Sequence, residues 1–354
     1  MELLRTINSD KRYYLDENTI ENAASFLQTM RVFNDAKIDL YNALYDQKYL
    51  ASGPLIDHAY PVFLKEKYKT NDYYNAAIYS AASGSLSSQK ELKKYYSTTI
   101  TADLKTRDEK IQTIQEALDK KKAVKNSIRI YRKDGRWVTP YPRCQLKVKG
   151  LMIVLFNKTI VKLDEYERSV ETDIRKLKTR LALVTEARKR KEKKLENIKN
   201  LPPERIVFGG KKLYSEKDTV GITKSAEDNK TSQKALKEWK QEFFEKRHQS
   251  MALPGRHTSK YGNFLCKYDG KDLSVTCIDG TTTVFHDFKL PRYNEAFQNN
   301  FTCKPEDRQS VCYNFTVKRD RKNRQYIIVS VTMKLQAYEN SYYGNGAISM
   351  DINY

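Results

Sequence analysis

Cysteine and histidine are scarce and scattered in this chain of 354 residues, with five Cys and four His. The cysteines are Cys144, Cys266, Cys277, Cys303 and Cys312; no two are spaced CxxC, and the histidines do not cluster with them. That pattern gives no support to a zinc ribbon. No secretory signal is present, so reduced thiols in a bacterial-type cytosol are the simpler expectation. No apolar run is long enough to span a membrane. The Gly209-Gly210-Lys211-Lys212 segment lacks the GxxxxGK spacing and is not a P-loop.

Acidic residues are also short, at 44 Asp+Glu against 65 Lys+Arg, which leaves a formal charge of +21. A charge so far from zero argues for a polyanionic partner, with nucleic acid ahead of a membrane surface. Aromatic residues make up 11%, mostly 25 tyrosines. Tyrosine among cations can stack on bases or lie against the backbone, although most should serve as core or helix-surface residues. The length suits two or three domains.

Along the chain, Glu2 to Ile7 reads as one strand. Asp16 and Asn18 offer N-caps for a helix reaching about Leu50, with apolar residues at three-four spacing from Ala23 to Leu44. Tyr60 to Lys69 reads as a second helix, and Asn71 to Gly84 as a third with one small, polar face. Tyr73, Tyr74 and Asn75 at its start can contact phosphates or base edges, while plain Ala-mediated helix packing also accounts for that face. An amphipathic helix carries Leu104, Ile111, Ile114 and Leu118. Ile128 to Val138 alternates around Asp134-Gly135 and predicts a hairpin, and Leu151 to Val161 predicts another strand.

A long helix follows from Asp164, whose pairing with Glu167 suits a capping box. Arg188 and Lys191 interrupt its apolar stripe inside the run Arg188-Lys189-Arg190-Lys191. Such a run is a solvated face in most helices; its place in the stripe argues for RNA or DNA contact or a frayed end. Pro202-Pro203 breaks the chain. Gly209-Gly210 lets backbone approach a phosphate that Lys211, Lys212 and the nearby Arg205 can neutralise. Ser215 to Ser232 reads as a polar, mobile stretch, and Leu236 to His248 as a short helix. Leu253 to Asn263 is a basic loop with Arg256 and Lys260. From Phe264 to Leu335 the period changes to two, with turns at Asp269-Gly270 and Asp279-Gly280. Short strands at this spacing predict a small barrel or sandwich, and an OB-like barrel would suit nucleic acid. The last stretch, Gly346 to Tyr354, sets Asp351 among Ala347, Ile348, Met350 and Ile352. An acid within an apolar strand is costly unless it is paired or metal-bound.

Taken in order, a first strand, a helical insertion, Val207 to Leu213, the loop Gly255 to Phe264, a β-rich segment and Gly346 to Asn353 resemble the TnpB proteins of insertion sequences and their type V CRISPR relatives. The Asn71 to Ser88 helix is similar to the family segment that reads a short duplex motif beside the target. The resemblance covers essentially the whole chain and implies an α+β fold. A helical recognition lobe is inserted in an OB-like wedge barrel, followed by the first strand of an incomplete RNase H-like, RuvC-type domain. The implied boundaries are 1–12 for the first barrel strand and 13–200 for the helical lobe, which has a hairpin near 128–161. Next come 201–262 as a basic connection, 263–340 as the barrel and 341–354 as the truncated RuvC-like strand.

The implied partners are a structured guide RNA and target double-stranded DNA read by base pairing. Asp351 would be the catalytic Mg²⁺ ligand of an incomplete site, because a two-metal nuclease needs more carboxylates than one. The expectation is a guided DNA-binding protein without a complete nuclease, able to repress transcription by occupying DNA. It needs no cofactor alone, and Mg²⁺ only if a second polypeptide completes the RuvC-like part. A guide-independent RNA-binding protein is the third reading. All three imply a bacterial cytoplasmic, nucleoid-associated protein.

Overall fold

A computed structural model describes residues 2–50, 59–222 and 229–336. The protein is α+β and divides into two compact units. The first comprises Met1–Ser87 with Arg205–Tyr354, and the second is Ser88–Glu204. The expected helical lobe of 13–200 is therefore shortened at its start, because the first helices pack into the strand-rich unit.

In the first unit, β1 (Glu2–Asn8) opens the chain and pairs antiparallel with β12 (Gln325–Gln336) along all seven of its residues. The sheet continues through β11 (Cys312–Arg319) to β7 (Ser250–Leu253), and β2 (Tyr13–Tyr14) adds to β12. A second antiparallel sheet has the order β3 (Ile20–Glu21), β10 (Thr282–Phe285), β9 (Leu273–Thr276) and β8 (Cys266–Tyr268). Neither sheet closes on itself among the described residues, so the architecture is two sheets sharing one core rather than a closed barrel.

That core is aromatic. Phe26 of α1 (Ala23–Tyr45) meets Phe285 at 5.2 Å and Phe315 at 5.0 Å between ring centroids, so one helix side chain joins both sheets. Helix α1 lays Phe26, Met30, Phe33, Leu40 and Tyr41 into this core at the three-four spacing seen in the sequence. Helices α2 (Tyr60–Tyr68) and α7 (Asn294–Thr302) complete the layer.

Helix α3 (Asp72–Asp134) is a single element of 63 residues, about 95 Å long at 1.5 Å per residue. It replaces both shorter helices and the hairpin expected at Ile128 to Val138. No proline lies between Pro61 and Pro140 to stop it. Asp134-Gly135 acts as a helix stop: Gly135 has a φ of +65° and its N–H donates to Tyr131 O at 2.9 Å. The strand expected over Leu151 to Val161 is a turn-linked pair, β5 (Met152–Val154) and β6 (Ile160–Lys162), which with β4 (Lys147–Lys149) forms a three-stranded sheet.

Helix α4 (Leu163–Asn200) returns beside α3. Val170 and Ile174 bury against Leu118, Val124 and Ile128, with Ile153 of the small sheet beneath. The polar stretch expected over Ser215 to Ser232 is largely helical where described: α5 (Lys211–Ile222) ends it on one side and α6 (Asn229–Arg247) begins it on the other. No helix among the described residues is long and apolar enough to cross a membrane.

At the edge of the second sheet, His286 sits between two carboxylates. Its Nδ1 faces Asp272 at 3.0 Å and its Nε2 faces Glu21 at 3.1 Å. Both neighbours are acceptors, so both bonds form together only on the doubly protonated ring. The Asp272 hydrogen bond, partly opposed by desolvation, raises the His286 pKa above its usual 6.5. A raised folded-state value means the stabilisation is fully present below about pH 6.5 and is lost as pH rises through the folded value. The gap in thermal midpoint between wild type and His286→Gln should therefore be widest at acid pH and shrink toward pH of about 8. A gap constant with pH would show that the two ion pairs add nothing.

Candidate nucleic-acid interface

The start of α3 and the loop between β7 and β8 meet in one cleft of about 240 Å³, lined by Tyr73, Ala76, Ala77, Ser80, Arg256 and Phe264 among others. Helix α3 begins there because the Asn71 side-chain oxygen accepts from the N–H groups of Tyr73 and Tyr74, at 3.1 and 3.0 Å. Its alanines keep the cleft floor low. Half-exposed Tyr73 stacks on Phe264, with centroids 4.6 Å apart and planes 20° apart.

The loop is held from inside. Buried Asn263 donates to the carbonyls of Leu253, Pro254 and Val311 at 3.0–3.2 Å, and its oxygen accepts from the N–H groups of Leu265 and Cys266 at 2.9 and 3.1 Å. Ser259 donates to Asn263 O at 2.6 Å. Gly255 lies against the Val311 backbone so closely that a Cβ would fall 2.3 Å from its nitrogen. This fixed frame turns Arg256, His257 and Lys260 outward. Among the described residues neither Arg256 nor Lys260 has an acidic partner, so their charge is available to an anion. Lys260 extends over the Tyr261 ring at 5.6 Å.

Tyr74 and Asn75 do not share this surface. Both are buried: Tyr74 donates to Thr276 O at 2.7 Å, and Asn75 accepts from Thr70. The apolar helical face they occupy requires burial, which removes them from contact with a large ligand.

Arg205 is also committed within the chain, to Asp46 and to the face of Tyr45 at 4.9 Å. The Phe208-Gly209-Gly210 segment after it is wedged between α1 and α6. Phe208 meets Tyr41 edge-on at 5.1 Å, and Lys37 lies 5.4 Å over the Phe208 ring. Burial lowers Lys37 to about 8, and its ammonium donates to Asn34 Oδ1 at 2.6 Å. Gly209 has a φ of +98°, and a Cβ there would lie 2.9 Å from the Phe243 ring. Gly209 thus serves a tight passage under Phe243. Gly210, with φ +102° and open space around it, turns the chain into α5, where Lys211 and Lys212 form the exposed first turn.

Arg188, Lys189 and Arg190 lie on α4, in the other unit. Helices α3 and α4 run antiparallel, and their cross-links step in opposite directions: Lys125 to Glu171 at 2.7 Å, Lys121 to Asp173 at 2.6 Å and Lys191 to Asp103 at 3.0 Å. Arg188 joins Asp108 across the pair and Glu192 along its own helix, while Arg190 joins Glu186. The cations in the apolar stripe therefore meet acids from α3, and the break in the stripe is a polar layer between two helices. Such a layer fixes register, because a shifted pairing leaves both charges unmatched. Arg188→Gln should leave the slope of affinity against salt unchanged in a nucleic-acid titration, whereas a residue holding one duplex phosphate lowers it by about 0.9. A clear fall in slope would return Arg188 to the ligand.

Asp351, the expected Mg²⁺ ligand, lies outside the described residues, as does the rest of 337–354. No family model, no curated protein and no solved structure matches the chain.

Proposed function

We propose that the chain binds nucleic acid, as a TnpB-type protein that holds a structured guide RNA and is directed by it to double-stranded DNA. The observation that carries this reading is the cleft itself. Two segments far apart in sequence, the Asn71 to Ser88 helix and the Gly255 to Phe264 loop, line one cleft beside two cations, Arg256 and Lys260, unmatched by acids among the described residues. Those are two of the four segments in which the family resemblance is placed. The cleft would take the short duplex motif beside the target, with Arg256 and Lys260 on phosphates and the Tyr73–Phe264 stack against sugars or a base edge. In this reading the two-sheet unit is the OB-like wedge, and the α3–α4 unit belongs to the recognition lobe.

The test is to purify the protein without nuclease treatment and sequence the RNA bound to it. One abundant structured species supports guidance. A random mixture favours guide-independent RNA binding, and the absence of RNA overturns the proposal. With that RNA loaded, Arg256→Ala with Lys260→Ala should weaken binding to matched DNA and lower its salt slope by about 1 to 2 units.

A further inference from the structure

From Gly135 to Lys162 the chain contains no Asp or Glu but six cations: Arg136, Arg143, Lys147, Lys149, Lys158 and Lys162. This acid-free stretch holds the three-stranded sheet, and the strand register sorts its side chains. Ile153 pairs with Val148 and Val161, and these three face the core of the unit. The opposite face follows from the alternation of side chains. It has two cross-strand rows, Lys147–Val154–Ile160 and Lys149–Met152–Lys162. An apolar strip of Met152, Val154 and Ile160 therefore runs between lysines on both edge strands. All three lysines are exposed, and none has an acidic partner among the described residues.

Each turn of this sheet also exposes an apolar side chain. Leu151 is 82% exposed and Phe156 77%. Phe156 is carried on a closed turn, where Leu155 N–H donates to Thr159 O at 2.9 Å and Lys158 N–H to Leu155 O at 3.0 Å. Turn chemistry needs no phenylalanine there, and the exposed ring is available to a ligand.

We propose that this face binds single-stranded nucleic acid, with unpaired bases on the apolar strip and Phe156, and phosphates on Lys147, Lys149 and Lys162. Charge complementarity selects the occupant: the face has cations on its margins and no acid. The placement of the apolar side chains favours bases over lipid. Leu151 and Phe156 lie at opposite ends of the strands and Ile160 lies on the face, so the apolar groups are spread out rather than gathered at one insertable tip. An aromatic ring beside apolar groups with flanking cations suits stacked bases. The inference deepens the nucleic-acid reading and rests on it, because it names the unpaired strand as the ligand of a face in the α3–α4 unit.

The test titrates the full chain into fluorescein-labelled oligouridylate and oligodeoxythymidylate, with phosphatidylserine–phosphatidylcholine vesicles in parallel. Lys147→Glu with Lys149→Glu and Lys162→Glu should weaken oligonucleotide binding about tenfold or more, and lower the salt slope by about 2 units at about 0.7 per single-strand phosphate. Phe156→Ser with Ile160→Thr should weaken it about fivefold or more without changing that slope. All five positions are solvent-exposed, and circular dichroism checks that the fold survives. Oligonucleotide binding that is equal in wild type and both variants overturns the inference and leaves the cleft reading standing. No oligonucleotide or RNA binding by wild type overturns both. Preferential vesicle binding, or self-association that the variants abolish, assigns the face to lipid or to a second copy and also overturns it.

Discussion

Replacing Asn263 with alanine is expected to destabilise the strand-rich unit by about 3–5 kcal/mol. The side chain is buried and satisfies three carbonyls and two N–H groups around the junction of β7, β8 and β11. Alanine leaves those backbone groups without partners where water has little access, and each orphaned group costs about 1–3 kcal/mol. Partial relaxation keeps the total below the sum. Asn263→Asp should not rescue. It keeps an acceptor for Leu265 and Cys266 but faces a carboxylate toward three carbonyl oxygens. Arg256→Ala, in the same loop but exposed, should cost less than about 0.5 kcal/mol. Denaturant unfolding of the three variants checks this. If Asn263→Ala loses no more than Arg256→Ala, the loop is not held as described, and the presentation of Arg256 and Lys260 needs another cause.

The second large effect concerns ionic strength. With a net charge of +21 and nucleic acid as the ligand, affinity should fall by roughly a thousandfold or more between about 50 and 200 mM salt, the range for about six to ten neutralised phosphates. Each phosphate neutralised by lysine or arginine releases a counterion, and adding salt opposes that release. The expected measurement is a straight line of log affinity against log salt with a slope steeper than about −5. The charge is not all available. Arg188, Lys191, Lys121, Lys125 and Arg132 are paired with acids within the α3–α4 unit. The steep part should therefore come from the loop and sheet cations, and charge-reversing Lys147, Lys149 and Lys162 should flatten it more than neutralising Arg188 does. A shallow line for wild type would mean that the excess charge is distributed without a polyanionic ligand.

Local chemistry that repeats at a fixed period was legible in the sequence. Apolar spacing from Ala23 to Leu44 predicted α1, and period-two alternation predicted β11 and β12, because burial of one face leaves a periodic trace. Asp269-Gly270 and Asp279-Gly280 predict turns, and both glycines have positive φ, +104° and +85°. Asp134-Gly135 carries the same dipeptide but ends a helix instead of turning a hairpin, since a left-handed glycine does either. The strand expected to run unbroken over Leu151 to Val161 is divided by the turn at Leu155–Thr159, which Asn157-Lys158 signals only weakly.

The sequence by itself determined the α+β character, the excess of positive charge, the apolar faces of the helices and the positions of most turns. These follow from composition and from contacts a few residues long. The tertiary structure alone decided which cations remain available. Arg188 and Arg256 are equivalent as letters in a chain, but Arg188 finds Asp108, 80 positions away, while Arg256 is held on a loop with no acidic partner among the described residues. It also decided that Tyr73 lies on a surface while its neighbours Tyr74 and Asn75 lie inside. A helix turns 100° per residue, so adjacent side chains face different surroundings. Which of those surroundings is core depends on what the remote chain packs there.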